Sequence, residues 1–317
     1  MIRQRIEARQ ASLCVIGTGT TGLPLAALWA EQGFRVWGVD RAFAGNGSLA
    51  DWCLSRHTEA CLADMYEAQV RRGTLRPTDA IQPGADAYIV CVPTPVDPTT
   101  KRPALRCLET AIDELCRVLT ADGGGPSERL LCIESTVPPG TSARIAQRVR
   151  KATPGLAIGI AYCAERAFPG RLLEEVIGNP RVIGAADGET AQQALALYAA
   201  FARAELHTTD LQTAEFTKLV ENAYRDVNLA FANEVALLAR RYDVSPTEAI
   251  ELANHHPRVH ILRPGCGVGG ECIPVDPWFL LSPNETQAQL IPAARRVNDA
   301  VPARIAEEIM HHLPGGG

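Results

Sequence analysis

The chain has 317 residues, of which 46% are hydrophobic and 21% charged, and its formal net charge is −5. This composition is typical of a globular protein with a sizeable core, and the length favours two domains. The negative charge, the lack of Lys/Arg blocks and the lack of any apolar run of about 18 residues argue against nucleic acid and membranes as partners.

The first predicted elements form a βαβ unit around a glycine-rich turn. Residues 12–16 are an apolar strand, residues 17–22 read Gly-Thr-Gly-Thr-Thr-Gly, residues 23–32 have helical periodicity, and residues 35–39 form a strand that ends at Asp40. Such a turn lets the backbone approach a pyrophosphate at the helix N-terminus. A carboxylate after the second strand binds ribose hydroxyls and repels a 2′-phosphate, which favours NAD over NADP. The alternative is a tight turn without a ligand. The predicted NAD-binding residues are Gly17, Gly19, Thr20, Thr21, Gly22, Asp40 and Arg41.

Strands and helices continue to alternate up to about residue 209. Further strands are predicted at 87–92, 129–134, 156–162 and 181–184, with helices at 105–119 and 141–151. This alternation predicts an α/β fold, a Rossmann-like doubly wound parallel sheet that forms a NAD-binding domain over residues 1–209. Ligands bind beyond the carboxyl ends of such strands. We expect Thr94, Thr136 and Glu165, in the loops there, to line the nicotinamide side, and Val92 and Pro93 to contact the cofactor as well. Pro and Thr are also ordinary loop residues, and Glu165 could equally cap a helix or pair with Arg166.

A different pattern begins at residue 210. Residues 210–242 lack Pro and Gly and predict one helix of about nine turns, apolar on several sides. Such a helix is buried between layers or subunits, so we predict that it is the spine of an all-helical domain over residues 210–317 and the core of a homodimer. Lys218 and Asn222 are four residues apart and therefore lie on the same face of the helix. They are interpreted either as a pair of functional residues or as part of a solvent-exposed strip. Further helices are predicted at 245–254, capped by Ser245, at 286–300 and at 302–312.

A glycine-rich segment with a cysteine follows in this second domain. Gly265, Gly267, Gly269 and Gly270 precede Cys272, and Asp276 and Pro277 come next as a predicted N-cap and first helical residue. A thiol, a carboxylate and a glycine loop indicate covalent catalysis on a phosphate-bearing or sugar-bearing substrate. A glycine-rich turn with a buried cysteine and a helix cap is the alternative.

The other cysteines show no functional pattern. The ten cysteines have no CxxC pairs and no Cys/His spacing typical of zinc sites, so we predict no metal. Cys91 and Cys116 lie in apolar runs and are expected to be inert. Scattered thiols in a chain without a secretory h-region favour a reduced, cytoplasmic environment.

Seven stretches of the sequence resemble the UDP-glucose/GDP-mannose dehydrogenase family of nucleotide-sugar dehydrogenases. The resemblance runs from residue 12 to about residue 302, and its last three stretches are long and specific. The stretches are VIGTGTTGLP, CVPTP, ESTVPPGT, YCAERAFPG, TAEFTKLVENAYRDVNLAFANE, LANHHPRVHIL and GCGVGGECIPVDPWF.

The resemblance implies an oxidoreductase that converts the C6 alcohol of a UDP-sugar into a carboxylate by two hydride transfers to NAD, as in polysaccharide biosynthesis. UDP-N-acetyl-D-mannosamine is the sugar that the last three stretches favour. Cys272 matches the nucleophile that forms a thiohemiacetal and then a thioester, and Lys218 and Asn222 match the pair that stabilises the oxyanion. Asp276 matches a carboxylate that positions water, and Glu165, near Thr136, matches the acidic residue of thioester hydrolysis.

The resemblance also implies substrate-binding residues. Arg258 matches an arginine that reaches the partner subunit's substrate, and the glycine loop matches the segment around the sugar and diphosphate. The implied substrate-binding residues are Arg166, Arg258, Gly265, Gly267, Gly269 and Gly270.

The chain departs from the family pattern at three points. Glu271 replaces a His before the nucleophile and should disfavour the thiolate, and Ala164 replaces a Pro. The family's third domain, which holds the nucleotide, would begin near Gly317, so we expect this form to bind NAD but to handle nucleotide-sugar poorly. Two alternatives stay open: a β-hydroxyacid-type two-electron dehydrogenase, which has a similar Lys-x-x-x-Asn pair but no Cys, and a non-catalytic NAD-binding subunit.

Overall fold

The computed structural model describes residues 1–44, 59–122, 128–168, 170–281 and 287–313. The chain divides into two compact units. The first comprises Met1–Thr94 with Pro103–Lys218, and the second comprises Pro95–Arg102 with Leu219–Gly317. The division between the units falls inside the long helix, after Lys218.

The first unit is built on a single sheet that contains eight strands within the described residues. In spatial order the strands are β3-β2-β1-β4-β5-β6-β7-β8. β1 and β4 are buried at every position, as expected for strands covered by helices on both faces. The predicted Rossmann-like α/β fold is therefore confirmed. The strands are β1 Ser12–Ile16, β2 Arg35–Val39, β3 Leu75–Thr78, β4 Ala87–Val90, β5 Glu128–Ile133, β6 Ala157–Tyr162, β7 Arg181–Ala185 and β8 Leu206–Asp210.

Helices cover both faces of this sheet and bury two separate apolar clusters. One cluster includes Trp29 and Tyr198, and the other includes Ile112 and Val149. This two-sided core holds the strands rigidly and leaves their carboxyl ends as the place where loops can carry functional side chains. The helices are α1 Ile2–Glu7, α2 Gly22–Glu31, α3 Ala60–Arg72, α4 Arg106–Ala121, α5 Thr141–Ala152, α6 Leu172–Gly178 and α7 Gly188–Tyr198.

The far edge of the sheet departs from the prediction of a purely parallel arrangement. β7 pairs with β6 in the antiparallel direction, through Ala161 with Ala185 and Tyr162 with Gly184, whereas the other neighbouring pairs are parallel. Mixed sheets of this kind are common in α/β folds. β8 then pairs in parallel with β7 and leads directly into the long helix.

The second unit is helical in its described part, as predicted. The long helix α8, Leu211–Arg241, contributes its residues from Leu219 onward. It is followed by α9 Pro246–Asn254, α10 Asp276–Leu280 and α11 Leu290–His312. Ser245 caps α9 as predicted, because its hydroxyl accepts from the backbone N–H of Glu248 at 3.4 Å.

The last helix corrects the prediction of two helices that meet near residue 301. α11 is continuous and contains Pro302 in its interior, while Thr286, the predicted start, lies outside the described residues. Proline inside a helix removes one hydrogen bond and costs about 3 kcal/mol. Buried bonds just before it offset this cost, because Arg295 and Asn298 of α11 both donate to the carboxylate of Asp226 on α8, at 2.5 and 2.8 Å.

Two features are absent from the described residues. No described helix is long and apolar enough to cross a membrane. Across the same part of the chain, no group of three or more His, Cys, Asp or Glu side chains is arranged so that it could hold a metal ion.

Candidate active site

The glycine-rich turn between β1 and α2 leaves no space for a side chain at Gly17 or Gly22. Gly17 has a φ of +88°, and a Cβ there would lie 2.9 Å from the carbonyl oxygen of Cys91. A Cβ on Gly22 would lie only 1.9 Å from the carbonyl oxygen of Gly17. At these two glycines a ligand can approach the backbone closely, at the N-terminus of α2, where free N–H groups and the helix dipole favour a pyrophosphate.

Asp40 stands immediately after β2, at the carboxyl edge of the sheet. Its Oδ2 accepts from the backbone N–H of Thr18 at 3.2 Å and its Oδ1 from that of Ala42 at 3.0 Å. Each carboxylate oxygen can accept further bonds, so ribose hydroxyls can still be bound. The neighbouring Arg41 is exposed, with its guanidinium 3.8 Å from Glu114.

A cavity of about 460 Å³ opens beside this carboxylate, large enough for the adenosine half of a dinucleotide. Its wall includes Gly17, Asp40 and Arg41 together with Val92 and Pro93 from the loop after β4. The glycine turn, a carboxylate after the second strand and a cavity beside it are features that NAD requires, and the residues present therefore fit it.

Removing the charge of Asp40 is expected to reduce the preference for NAD over NADP. In Asp40→Asn the side chain keeps one acceptor for a neighbouring amide but no longer repels a 2′-phosphate. We expect the ratio of the two dissociation constants, measured by titration of each cofactor without substrate, to fall about tenfold or more, equal to about 1.4 kcal/mol. Equal affinity of the parent protein for both cofactors would rule out this role of Asp40.

The loops after β4 and β5 are tied together. Thr94 donates its hydroxyl to the carbonyl of Thr136 at 2.7 Å, and Ser135 donates to the carbonyl of Val92, also at 2.7 Å. The backbone N–H of Glu134 donates to Val90 at 2.9 Å. These bonds fix the Thr94 and Thr136 backbones at the edge where the sequence predicts the nicotinamide side.

Glu165 and Arg166 lie in the loop after β6, and local main-chain groups orient both side chains. The Glu165 carboxylate accepts from the backbone N–H of Ala167. The Arg166 guanidinium donates to the carbonyl of Pro180 at 2.7 Å, and Asn179 donates to the Arg166 carbonyl at 3.0 Å. The catalytic role of Glu165 and the substrate-binding role of Arg166 remain predictions.

A buried ion pair that sequence reasoning missed lies at the end of β5. The Glu134 carboxylate accepts from Nη2 of Arg181 at 3.0 Å, and both side chains are almost fully buried. Burial raises the pKa of Glu134, and the charges of Arg181 and Lys218 oppose that rise. The positive charge of Lys218, a predicted catalytic residue, therefore acts near this carboxylate within the first unit.

Glu215 is a second residue that the sequence did not single out. It is fully buried on α8, and its carboxylate accepts from the backbone N–H groups of Gly140 at 2.5 Å and Ser142 at 2.6 Å. These are free N–H groups at the start of α5, so Glu215 caps that helix from a distant position in the sequence. It thereby holds the loop that carries Thr136, which ends at this helix.

The second unit brings together three predicted catalytic residues. Asn222 on α8 donates its Nδ2 to Oδ2 of Asp276 at 2.6 Å, and both residues are buried, at 8% and 4% exposure. The carbonyl of Cys272 accepts from the backbone N–H groups of Val275 at 3.0 Å and Asp276 at 2.8 Å. The thiol of Cys272 is exposed, so an accessible sulfur lies one turn from a fixed amide–carboxylate pair.

The structure corrects the prediction that Asp276 is an N-cap. Asp276 is the first residue of α10, its N-cap position is Val275, and that cap makes no side-chain hydrogen bond. The Asp276 carboxylate accepts from Asn222 instead, because the amide of α8 lies within its reach.

The glycine loop before Cys272 has two positions whose backbone conformation favours glycine, and one of them is Gly270, with a φ of +95°. Gly267 has a φ of +115°, and a Cβ there would lie 2.9 Å from Cγ of Pro302. A Cβ on Gly265 or Gly269 meets no heavy atom within 4 Å, so packing does not require glycine there. Arg258, the last predicted substrate residue, is exposed in the second unit.

The buried cysteines differ from Cys272. Burial raises the pKa of the Cys91 thiol well above its usual value and raises that of Cys116 as well. Both therefore stay protonated and inert, as the apolar runs around them predict.

Comparison with protein families identifies both units. The NAD binding domain model of the UDP-glucose/GDP-mannose dehydrogenase family matches residues 11–202, and the central domain model of that family matches residues 212–300. The chain belongs to the UDP-glucose/GDP-mannose dehydrogenase family. The resemblance and the NAD cofactor predicted from the sequence are thereby confirmed.

Several members of this dehydrogenase family are similar over nearly the whole chain. The UDP-N-acetyl-D-mannosamine dehydrogenase of Methanococcus aeolicus is 41% identical over 300 residues, covering 94% of this chain and 66% of that protein. The Campylobacter jejuni protein of the same name is 38% identical over 310 residues, covering 94% and 74%. The solved structure of UDP-D-ManNAc dehydrogenase from Pyrococcus horikoshii has a TM-score of 0.85 and 37% identity, covering 95% and 71%. The chain thus spans about two thirds of the length of the first of these relatives.

Proposed function

We propose that this chain oxidises the C6 alcohol of UDP-N-acetyl-D-mannosamine to the uronic acid in two steps, through a covalent intermediate on Cys272. The similar proteins named UDP-N-acetyl-D-mannosamine dehydrogenase support the substrate. The observation that carries the chemistry is the buried bond of 2.6 Å between Asn222 and Asp276, next to the exposed thiol of Cys272. A buried, hydrogen-bonded amide and carboxylate beside an accessible nucleophile are arranged for catalysis.

The glycine turn and Asp40 would hold NAD, which would supply the hydride acceptor for both oxidations. Cys272 is needed between them, because an aldehyde has no second hydride to give until a nucleophile adds to its carbonyl carbon. The sulfur forms a C–S bond and the aldehyde oxygen becomes the hydroxyl of a thiohemiacetal. Oxidation of that carbon leaves a thioester on Cys272, and water then cleaves the C–S bond to give the carboxylate and the free thiol.

The other predicted catalytic residues have roles that follow from their chemistry. The Lys218 ammonium and the Asn222 amide can both donate to the oxygen that becomes negative when sulfur or water adds. Asp276 orients the Asn222 amide by accepting from its Nδ2 and can hold a water molecule with its other oxygen. Glu165 and Thr136 would assist the attack of that water on the thioester.

Substrate binding would fall to the glycine loop and two arginines. Exposed backbone N–H groups of the loop suit a diphosphate, and arginine suits phosphate oxygens because its guanidinium donates in a fixed fork. Arg166 would act within its own subunit and Arg258 on the substrate of a partner subunit. The proposed contacts are Arg166, Arg258, Gly265, Gly267, Gly269 and Gly270. A UDP-uronic acid product supports a role in polysaccharide biosynthesis, and the absence of disulfides among the described cysteines supports the cytoplasm as its place.

A homodimer through α8 is expected, because this helix exposes large apolar side chains that a lone subunit would leave in water. Tyr224, Phe231 and Leu238 are 62%, 53% and 47% exposed. The parent protein should be dimeric by light scattering at micromolar concentration, and Phe231→Glu with Leu238→Glu should be monomeric. Leu252→Glu, on the exposed face of α9, is the matched control and should remain dimeric. A monomeric parent would refute this interface.

The number of NADH molecules formed per sugar tests the proposed function. With protein and NAD in excess over UDP-N-acetyl-D-mannosamine, every sugar should yield two NADH and one uronic acid, even if turnover is slow. One NADH per sugar would indicate a two-electron dehydrogenase. Cofactor binding with no NADH at all would indicate a non-catalytic subunit.

A further inference from the structure

The segment that enters the glycine loop is held in an unusual way. Residues 259–265 belong to no helix or strand, and most of them are exposed. Exposed main chain without secondary structure normally bonds to water and is mobile. Here four main-chain groups of residues 260–262 and one of Gly265 are instead bonded to asparagine side chains from α8 and α9.

Two of these asparagines bind the segment as neighbouring strands would. Asn254, at the end of α9, donates to the carbonyl of Ile261 at 2.9 Å and accepts from its N–H at 2.8 Å. Asn228 on α8 donates to the carbonyl of His260 at 2.8 Å and accepts from the N–H of Leu262 at 2.9 Å. An asparagine amide offers the same carbonyl and N–H pair as a peptide group, so it can replace one residue of a β-ladder.

The two amides bind opposite edges of the segment. In an extended chain the N–H and C=O of one residue point to one edge, and those of the residues before and after it point to the other. Asn254 bonds to both the N–H and the C=O of Ile261, as a residue of an antiparallel strand does. Asn228 bonds to the C=O of His260 and the N–H of Leu262, as a residue of a parallel strand does. The segment is therefore clamped between α8 and α9.

A third asparagine fixes the point where the glycine loop begins. Asn233 accepts from the N–H of Gly265 at 3.0 Å and donates to Oδ1 of Asn298 at 3.0 Å. Asn298 in turn donates to the carboxylate of Asp226, which also accepts from Arg295. All these network side chains are buried, so the orientation of the Asn233 amide is fixed by groups that water does not reach.

The loop with Cys272 is consequently anchored at both ends by asparagines of one helix. Asn233 holds Gly265 at its start, and Asn222 holds Asp276 at its end. Between them Gly267 lies against Pro302 of α11. The position of the thiol thus depends on the spacing of two amides on α8 and on the clamp that aligns the chain before Gly265.

We propose that Asn228, Asn233 and Asn254 are positioning residues that hold the main chain of residues 260–265 in place and so set the position of the Cys272 loop. This inference rests on the proposed role of Cys272 as the nucleophile. It adds that the reactivity of the thiol depends on three amides that do not touch the reacting atoms. Arg258, two residues before the clamp, is aligned by the same contacts.

Two measurements on the 317-residue protein test the proposal, and neither needs turnover. Each alanine variant should lower the hydrogen-exchange protection of the amide that its asparagine binds about fivefold or more, since one hydrogen bond is worth about 1 kcal/mol. The affected amide is Ile261 in Asn254→Ala, Leu262 in Asn228→Ala and Gly265 in Asn233→Ala. Iodoacetamide alkylates Cys272 at a rate that peptide mass spectrometry can follow across pH. This rate should change at least threefold in each variant, a change equivalent to about two thirds of the same energy.

Two further variants separate positioning from general stability. Asn228→Asp keeps an oxygen that accepts from the N–H of Leu262, and position 228 is only half-buried, so a carboxylate is tolerated there. Compared with Asn228→Ala, this variant should restore protection of the Leu262 amide and bring the alkylation rate back toward that of the parent. Ser245→Ala removes the cap of α9 in the same unit without touching the clamp, and its Cys272 alkylation profile should match the parent.

Two results would overturn the proposal. Unchanged exchange at the three amides in the alanine variants would show that the bonds do not hold the segment. Faster exchange with an unchanged Cys272 alkylation profile would show that the asparagines only stabilise the fold. Failure of the proposed function is a separate result, because it appears in the NADH count and not in alkylation.

Discussion

Cys272→Ala is expected to block the conversion of aldehyde to acid while leaving the oxidation of the alcohol possible. The first oxidation needs only bound sugar and cofactor, whereas the second needs the sulfur to create a carbon that can lose hydride. When the UDP-sugar 6-aldehyde is supplied as substrate with NAD, the variant should form acid at least about 1,000-fold more slowly than the parent, as loss of a covalent nucleophile usually costs. Stopped-flow absorbance of NADH measures both steps.

Cys266→Ala is the matched control for this substitution. Cys266 is also exposed and lies in the same glycine loop, six residues before Cys272. Its removal should leave both steps near the parent rate, because no step of the proposed chemistry uses it. A large loss in Cys266→Ala with little loss in Cys272→Ala would reverse the assignment of the nucleophile.

Glu271→His should act in the opposite direction. A carboxylate next to the thiol disfavours the thiolate, and replacing it by histidine removes that repulsion. We expect faster alkylation of Cys272 near neutral pH and a faster second oxidation in this variant. Unchanged rates would show that the exposed Glu271 carboxylate is screened by water.

Gly22→Ala is expected to abolish useful NAD binding. Its Cβ would lie 1.9 Å from the carbonyl oxygen of Gly17, a distance at which the turn must move. The displaced backbone can no longer point its N–H groups at the pyrophosphate, so the dissociation constant for NAD should rise at least about 100-fold, equal to about 2.7 kcal/mol. Titration calorimetry measures this constant, and the melting temperature shows how much of the loss is structural.

Gly188→Ala is a matched control, since Gly188 is likewise the first residue of a helix in the first unit. A Cβ at Gly188 meets no heavy atom within 4 Å, and its φ is not in the left-handed region. NAD affinity should therefore stay at the parent value. Parent-like affinity in Gly22→Ala would show that the turn can open without loss and that it does not hold the pyrophosphate.

The sequence predicted those parts of the fold whose signal is local. The turn at 17–22, its flanking strands and Asp40 are close together in the chain, so spacing alone indicates their arrangement. The long helix was predicted nearly to the residue, because nothing between 211 and 241 interrupts helical geometry.

Elements whose stability comes from distant partners were not predictable in this way. β8 is mostly exposed and polar, and β3 contains Pro77, so neither shows the apolar alternation of a strand. Both form because they add to strands that are already paired. The passage of α11 through Pro302 likewise depends on bonds to Asp226, about 70 residues earlier in the chain.

The same distinction applies to the site. Cys272 and its glycine loop are visible as a pattern, whereas the partner of Asp276 is an amide 54 residues away. Glu134 with Arg181 and the helix cap formed by Glu215 are also pairs of distant residues. A buried charge is expected to have a partner, but the sequence does not say which residue it is.

The central claim is that the sugar becomes covalently bound to Cys272, and acid-quenched peptide mass spectrometry tests it most directly. The protein is mixed with UDP-N-acetyl-D-mannosamine and excess NAD and quenched in the first turnovers, both as the parent and as Glu165→Gln, which should slow thioester hydrolysis. The account predicts a uronyl thioester on the peptide that contains Cys272, more abundant in Glu165→Gln and removed by hydroxylamine. Formation of uronic acid while that peptide stays unmodified in both proteins at every time point would contradict it.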